Sequence, residues 1–400
     1  SIDKTLGNLF ISRENGAYQF EGVDNYYAGI PSYFRFNKSA TGDPYYAASA
    51  FDGSFETLYV QDKYYVSDIL TVNYGLRYDS FEMANGPAYN EYGSSLLGFR
   101  NDTPASTSIV QPRFGFQLDA TNLDMFSSDR IVAAEIRGGY GLFAGRVPNV
   151  WLASPFANSG VVQYGSRTGR FAAGTPDCTT GAEITCFKAP ETIYQDFPYS
   201  DYASTSPAQA IDPNYDTPST WKLNLELLLT TANGYDLKLA YNRDEAKDGV
   251  GFSDASASVE QVGKTGVVTY DSEGAYYITN GPGASSDSIT LSLDKEFDNG
   301  VSVFASYTGL DAENAWNGTS SQLSSNLEYN PRVDLMNVSV GKTPWAIENR
   351  FVAGLNYTAN WFNNAPTSFS LFYKAYSGKR FSYGFDGLYD GYDDGNTLLY

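Results

Sequence analysis

Histidine is absent from the 400 residues of this sequence. Catalytic sites of the Ser-His-Asp and Cys-His kinds need an imidazole as general base, and many zinc sites need one as a ligand. The sequence also shows no other pairing of a nucleophile with a base, and no phosphate-binding glycine loop. We therefore predict that the protein is not an enzyme.

Long apolar runs are missing as well. No stretch approaches the roughly 18 consecutive apolar residues that a transmembrane helix needs. A segment that crosses a membrane must then do so as strands, which are apolar only at alternate positions. The mean hydropathy of -0.34 is compatible with such strands.

Basic residues are few, with 26 Lys and Arg against 46 Asp and Glu and a net charge of -20. A protein that binds nucleic acid normally carries a basic patch that neutralises phosphates. The acidic balance therefore argues against nucleic acid as a partner.

Cysteine is scarce too, and the two cysteines, Cys178 and Cys186, lie close together in the segment DCTTGAEITC. A spacing of seven intervening residues fits a small disulfide loop and matches no metal-binding or thioredoxin-like motif. We predict a Cys178–Cys186 disulfide, which implies an oxidising compartment such as the periplasm or the cell surface.

Aromatic residues, by contrast, are abundant at 16%, with 33 Tyr and 25 Phe. The clearest pattern lies in residues 54–82, where two alternating segments meet at a tight turn, Ser67-Asp68. In the second segment Asn73 and Arg77 fall on the side opposite the apolar residues Leu70, Val72, Tyr74 and Leu76. Because successive side chains of a strand point to opposite faces, this period of two predicts a β-hairpin with one apolar face.

Connections between segments of this kind alternate in length. Short turns near 67, 120–130, 231–234, 297–300 and 360–366 alternate with long loops at 83–111, 146–218, 246–285, 311–347 and 377–400. In a meander, alternate connections emerge at opposite ends, so one end carries the turns and the other carries the loops. This layout predicts an all-β fold, an antiparallel transmembrane β-barrel with short periplasmic turns and long extracellular loops. A soluble sheet, which also alternates, remains an alternative.

The prediction divides the chain into two parts. Residues 1–53 show little sustained alternation, and we expect an extracellular loop region with short strands and a short helix. Residues 54–400 supply about ten antiparallel strands of the barrel.

Five stretches across most of the chain match one family: LYVQDKYYVSDILTVNYGLRYDSF (58–81), QPRFGF (111–116), EIRGGYGLFAGRVPNVWLASPFANSG (135–160), FASYT (304–308) and SGKRFSY (377–383). They resemble the TonB-dependent receptors of the Oar-like group, always in the barrel part of that family. The first and third stretches are the most specific, because the order and spacing of their residues match the family as well as the short motifs themselves.

The resemblance implies a barrel of about 22 strands that encloses an N-terminal plug, with loops that take the ligand. Ten strands would be somewhat under half of such a wall. The chain starts at Ser1 without an initiator Met or a signal sequence, so either a signal peptide has been removed or, as we expect, the sequence is a piece of a longer chain. The plug and the segment that contacts TonB are expected outside this sequence.

Charged residues recur in the polar rows of the strands. Under the barrel hypothesis these side chains face a wet lumen and the plug; the set is Arg77, Asp79, Arg113, Glu135, Arg137, Lys222 and Glu226. Under the alternative they line a solvated face of a soluble sheet. Neither interpretation makes any one charge catalytic.

Two further candidates lie in the long loops. Trp151 and Phe156 could stack on a ligand, although packing within the loop also explains them. The segment DGLYDGYDDGN resembles a degenerate calcium loop through Asp386, Asp390, Asp393 and Asp394, since a hard cation prefers several oxygen ligands. Tyr392 stands where a ligand is expected, and an acidic surface loop is the alternative. Apart from calcium, no cofactor is predicted.

We predict an outer-membrane TonB-dependent receptor of a Gram-negative bacterium, which captures a substrate with its extracellular loops and imports it with energy relayed by TonB. The expected partners are the TonB complex, the lipid bilayer, lipopolysaccharide and a substrate that the sequence does not identify. The alternatives are a barrel-anchored surface or adhesive protein and a secreted sugar-binding β protein.

The disulfide prediction is tested by thiol labelling of the native protein without reductant. We expect Cys178 and Cys186 to be protected until a reductant is added. Free reaction of both thiols in the unreduced protein would show that the bond does not form.

Overall fold

The structure is a computed structural model that describes residues 2–8, 16–27, 33–168, 204–262, 268–316, 318–328, 330, 334, 336, 338–362 and 365–383. Both cysteines, Cys178 and Cys186, and the aspartates of the predicted calcium loop, Asp386, Asp390, Asp393 and Asp394, lie outside the described residues. The disulfide and the calcium site therefore stay predictions.

Strands dominate the described residues. They are β1 (Ile2–Asn8), β2 (Ala17–Gln19), β3 (Tyr33–Ser39), β4 (Ser49–Tyr65), β5 (Leu70–Met83), β6 (Ser106–Asp119), β7 (Ile131–Ala144), β8 (Gln163–Thr168), β9 (Ala210–Ile211), β10 (Ser219–Thr231), β11 (Tyr235–Asp254), β12 (Ser258–Val262), β13 (Val268–Asp271), β14 (Tyr276–Gly281), β15 (Ser285–Glu296), β16 (Val301–Asn314), β17 (Gly341–Lys342), β18 (Asn349–Phe362) and β19 (Ala365–Tyr376).

The helices are short: α1 (Val23–Tyr27), α2 (Glu91–Leu97), α3 (Asn149–Ala157) and α4 (Leu323–Glu328), with a 3-10 turn at Pro44–Ala47. In the described part of the chain, none of the helices has the length and apolar character that crossing a membrane would require.

One large sheet organises the molecule. Its strands follow the order β1-β4-β5-β6-β7-β10-β11-β15-β16-β18-β19, and each neighbouring pair is antiparallel. Within the described residues, ten of these strands are 12 to 20 residues long, where about ten long strands were expected in residues 54–400. Strands β9, β14 and β17 attach at one end, while β2-β3-β8 and β12-β13 form two small separate sheets.

The register of the large sheet separates its two faces. One cross-strand row consists of Leu118, Ile136, Leu227, Leu239 and Leu291, which pair in that order across β6, β7, β10, β11 and β15. Many apolar side chains on this side are exposed, and Leu291 has 54% of its surface accessible, whereas Leu118, Ile136 and Leu227 pack partly against Phe126. A wide exposed apolar surface of this kind needs a non-aqueous neighbour. We call it the apolar face, and the opposite side the polar face.

The two ends of the sheet differ as the sequence predicts. Residues 66–69, 120–130, 232–234 and 297–300 connect strands at one end, the turn end. Gly234 and Gly300 adopt positive φ angles of 71° and 81° there, which explains the Asn-Gly pairs in these hairpin turns. The connections from β5 to β6, β7 to β10, β11 to β15 and β16 to β18 lie at the other end, the loop end.

Several strands extend further into the loop end than predicted. Strand β6 begins at Ser106 within the predicted loop 83–111, β11 continues to Asp254, and β16 continues to Asn314. The extension of β6 begins with STS, where small polar residues occupy both faces, and the extension of β11 ends with GVGFSD, where Val250 and Phe252 alternate with glycine over only a few residues. Without a consistently apolar face, a strand produces no alternating signal in the sequence.

The N-terminal region also departs from the prediction. Strand β1 pairs with the first part of β4, so residues 1–53 contribute a strand to the large sheet instead of forming loops alone. Strand β4 likewise begins at Ser49, ahead of the expected boundary at residue 54. The short helix expected near EGVDNYYAGI is present as α1.

The two faces generate a paired test. If the apolar face contacts lipid, Leu291→Arg should destabilise the folded protein by roughly 2–4 kcal/mol when the position lies near the bilayer midplane. Ser292→Arg is the matched control, because the neighbouring side chain points to the polar face. Urea titration of folding into lipid vesicles measures both. Equal losses for the two variants would contradict the assignment of the faces.

Candidate functional site

The polar face carries a hydrogen-bonded charge network across β4, β5 and β6. Arg77 Nε lies 2.9 Å from Asp79 Oδ2, and Thr57 Oγ1 donates to Asp79 Oδ1 at 2.7 Å. Gln111 Nε2 donates to Asp79 Oδ2 at 2.5 Å, and its Oε1 accepts a hydrogen bond from Arg113 Nη2 at 3.0 Å. The strand register produces the network, because Thr57 pairs with Asp79 and Arg77 pairs with Gln111.

A second network spans β7, β10 and β11. Glu226 accepts from Arg137 Nε at 2.6 Å and from Lys238 Nζ at 2.7 Å. Glu135 Oε1 lies 3.8 Å from Arg137 Nη1, and Lys222 Nζ lies 3.4 Å from Asp244 Oδ2. Cations and carboxylates therefore alternate across the strands, and their charges largely compensate each other.

Two buried polar atoms of the polar face lack a hydrogen-bond partner among the described residues: Arg113 Nε and Glu135 Oε1. The Arg113 guanidinium lies over the Phe143 ring, 4.4 Å from its centroid. Burying a charged group without full hydrogen bonding is costly, and this cost is offset only in part, by the Phe143 ring for Arg113 and by the nearby Arg137 for Glu135.

The loop end has its own hydrophobic core, which we call the loop core. It contains Phe51, Met83, Ala105, Leu152, Ala153, Phe156, Ile211, Tyr215, Phe252, Ala257, Tyr270, Ile278, Leu323 and Leu327. The ring of Phe156 on α3 stacks on Phe51 with 5.7 Å between centroids. Phe51 lies on the same side of β4 as Thr57, so the loop that carries α3 folds over the polar face.

Hydrogen bonds of the Asn90 side chain connect three loop segments beside this core. Asn90 is buried, and its side-chain amide donates to the carbonyls of Ser159 and Ser206, at 2.9 Å each. Its Oδ1 caps α2 by accepting from Gly93 N at 2.9 Å, and its backbone N–H donates to Asn101 Oδ1 at 2.8 Å. One asparagine thus joins the β5–β6 connection to both ends of the β7–β10 connection.

Tyrosines at the loop end show two effects on pKa. Burial raises the pKa of Tyr215, whose hydroxyl has no hydrogen-bond partner in the described part of the chain. The hydrogen bond to the Glu273 carboxylate raises the pKa of Tyr92. Both phenols are therefore neutral at ordinary pH and act as packing and donor groups.

An aromatic cavity lies within the loop end. Trp151 and Trp316 both make edge-to-face contacts with Phe252, with centroid distances of 5.1 Å and 5.6 Å. Trp151 Nε1 donates to the Ser320 carbonyl at 2.6 Å. The cavity that these rings line has a volume of about 170 Å³.

The sequence matches the outer membrane beta barrel domain family over residues 7–370. The chain belongs to this family. Its large sheet is accordingly the wall of an outer-membrane β-barrel, and the protein is located in the outer membrane. A comparison with curated proteins gave no match.

Three solved structures resemble this chain in part. The FrpB iron transporter from Neisseria meningitidis is 10% identical, with 78% of this chain and 32% of that chain covered and a TM-score of 0.40. The siderophore receptor PiuA from Acinetobacter baumannii is 14% identical, with 82% and 34% covered and a TM-score of 0.39. The outer membrane transporter YddB from Escherichia coli is 9% identical, with 81% and 41% covered and a TM-score of 0.37. The chain spans about a third of the length of the first two.

The register places the seven predicted charged residues on one face. Arg77, Asp79 and Arg113 belong to one cluster and Glu135, Arg137 and Glu226 to another, while Lys222 forms a separate ion pair with Asp244. That this face contacts a plug stays a prediction. The sequence analysis missed Gln111, which is 1% exposed and joins Asp79 to Arg113. Gln111 is the last residue of the predicted loop 83–111 and also the first residue of the QPRFGF stretch (111–116), which carried a signal for it.

The two predicted loop aromatics have different surroundings. Phe156 is 7% exposed within the loop core, as the packing alternative expected. Trp151 lines the cavity, together with Phe252 and Trp316, which the sequence did not single out. In the described ranges, no group of three or more Asp, Glu, Cys or His side chains could hold a metal ion.

Asn90 provides a test of how the loops are held. Asn90→Ala leaves the Ser159 and Ser206 carbonyls without their donor and should destabilise the loop end by about 1–3 kcal/mol. Amide hydrogen exchange should rise in residues 84–105 and 204–218, while strands β10 and β15 stay protected. Asn85→Ala is the matched control, because Asn85 is exposed and accepts one hydrogen bond, from Asp52 N. Unchanged exchange in Asn90→Ala would contradict the role of this residue.

Proposed function

We propose that this barrel wall belongs to a TonB-dependent receptor, a transporter that captures its substrate with the loop end and passes it through a plugged lumen. The TonB complex supplies the energy and acts through the plug. The process is binding and passage, without bond cleavage. Lipid and lipopolysaccharide surround the apolar face, and nucleic acid is not a partner.

The observation that carries this proposal is the fixed charge network of the polar face. Arg77 is paired with Asp79, and Glu226 is paired with Arg137 and Lys238, all on the side opposite the apolar face. An ordered surface with charges of both signs is suited to pack against a polar plug inside the lumen. An anchor with an open, water-filled lumen would not require charges held in fixed positions across the strands.

The folded loops support the same proposal. Helix α3 and the loop core lie over the polar face at the loop end, so they narrow the entrance to the lumen instead of projecting away from the wall. Loops in this position are suited to hold a substrate above the plug. The alternative, a barrel-anchored surface or adhesive protein, requires loops that project towards a partner.

The proposal is tested by charge reversal on the polar face of the full-length protein. Arg77→Glu combined with Arg137→Glu breaks the contacts to Asp79 and Glu226 and places like charges together. We expect the plug to loosen and the leakage of a large antibiotic across the outer membrane to rise several-fold.

Arg100→Glu is the matched control, because Arg100 forms an exposed ion pair with Asp102 at the loop end, at 2.6 Å. We expect its leakage to equal that of the unmodified protein. Heat-dependent migration on gels checks that each variant folds and inserts. If the double variant is folded and its leakage is unchanged, the plugged transporter is excluded and the anchor becomes the better explanation.

A further inference from the structure

We propose that the connection between β6 and β7, residues 120–130, lies on the outside of the barrel wall and contacts the phospholipid leaflet at the turn end through Met125. We call these residues the turn lobe. The inference goes beyond the proposed function and does not depend on transport, because it rests only on the outer-membrane wall and on the position of this connection.

The turn lobe is longer than its neighbours at the same end of the sheet. The connections β4–β5, β10–β11 and β15–β16 span only residues 66–69, 232–234 and 297–300. A loop of about two residues is enough to join neighbouring antiparallel strands. The additional residues of the turn lobe are therefore available for a structure of their own.

The turn lobe folds back over the apolar face of the wall. Phe126 is 8% exposed and packs against Ala134, which is 2% exposed. The same cluster contains Ala120 and the partly buried Leu118, Leu123, Ile131, Ile136, Leu227 and Leu229. Ile136 and Leu227 belong to the row that defines the apolar face, and Ala134 lies on the same side of β7 as Ile136. The turn lobe thus covers wall positions that lipid would otherwise contact.

Hydrogen bonds within the protein satisfy much of the turn lobe. Phe126 N and Ser127 N both donate to Leu123 O, at 2.8 Å each. Thr121 Oγ1 accepts a hydrogen bond from Ala134 N at 3.1 Å. Because backbone groups find few partners in hydrocarbon, a segment paired in this way is suited to the boundary of a bilayer.

The local geometry directs Met125 away from the wall. The two hydrogen bonds to Leu123 O form a helical turn, in which position 125 lies roughly 200° around the axis from position 123. Leu123 and Phe126 pack in the cluster on the wall, so Met125 lies on the opposite side of the turn, and it is 75% exposed. A large apolar side chain that points outwards from a lipid-facing wall meets lipid.

Charged neighbours limit how deep the turn lobe can lie. Asp124, Asp129 and Arg130 are exposed in the same connection, and charged side chains are costly in the hydrocarbon core. The headgroup boundary satisfies both requirements, because it keeps these charges in contact with water while the flexible Met125 side chain reaches the acyl chains.

Methionine oxidation in lipid nanodiscs tests this contact without any change of sequence. The full-length protein is held in nanodiscs of phosphatidylcholine and phosphatidylglycerol, which leave both membrane surfaces open to water. The oxidant is periodate, an anion that hydrocarbon excludes. Met125 is 75% exposed and Met336, in the β16–β18 connection, is 56% exposed, so without lipid Met125 should react at least as fast. We expect Met125 to be oxidised at least several-fold more slowly than Met336.

Spin labels distinguish a lipid neighbour from a protein neighbour. Met125→Cys, Leu291→Cys and Asn299→Cys are each prepared in the full-length protein with Cys178→Ser and Cys186→Ser. We expect the label at 125 to be accessible to oxygen and shielded from a water-soluble nickel complex, as at 291 on the apolar face. Asn299→Cys is the matched control, because Asn299 is exposed in the β15–β16 turn, and its label should show the opposite preference.

Three results would overturn the proposal: oxidation of Met125 as fast as that of Met336, a label at 125 with the preference of the label at 299, or low accessibility to both reagents at 125. The first two would place the turn lobe in water, and the third would indicate a protein neighbour. Phe126→Ala, added to Met125→Cys, removes the largest contact with the wall and should shift the label towards the preference found at 299. Heat-dependent migration on gels checks that each variant folds, and a folded Phe126→Ala variant without this shift would contradict the wall-bound position.

Discussion

The constraint on which the structure depends is that backbone N–H and C=O groups in a bilayer must be hydrogen-bonded within the protein. The large sheet meets this requirement through unbroken antiparallel pairing from β4 to β19. The same pairing fixes which residues face lipid, because a slip of one residue would turn Arg77 and Glu226 towards the hydrocarbon. In the described residues, the part of β4 after Phe55 is paired only with β5, and β19 is paired only with β18. In lipid, the backbone groups along both of these sheet edges need a hydrogen-bonded neighbour.

The strand register that places the leucines on the apolar face also places the charged residues together on the polar face. Charged residues far apart in sequence, such as Arg137 and Glu226, become neighbours because β7 pairs with β10 in one alignment. Their ion pairs hold the charged side chains in fixed positions, although some buried polar atoms make no hydrogen bond among the described residues. The polar face is therefore ordered by its own side chains.

The loop end is a second folded unit built on the first. Its strands extend beyond the apolar region, and the loop core, the Asn90 hydrogen bonds and the rings around Phe252 join connections that are separated by up to about half the chain. A compact loop core explains how long connections form a defined cavity, because each loop buries its apolar side chains against the others. In the proposed function, these loops hold the substrate and the wall fixes their position.

The sequence by itself determined the class of fold, the ten long strands, the end that carries the turns and the set of charges that share a face. All of these follow from local rules: a period of two along a strand, Asn-Gly at tight turns and alternating connection lengths. It did not determine that β1 joins the sheet, that Gln111 links Asp79 to Arg113, or that Trp151, Phe252 and Trp316 surround one cavity. Those features depend on contacts between residues distant in sequence, and where both faces of a strand are polar the alternating signal disappears. The tertiary structure alone decides them, because long-range packing and strand register have no local pattern in the chain.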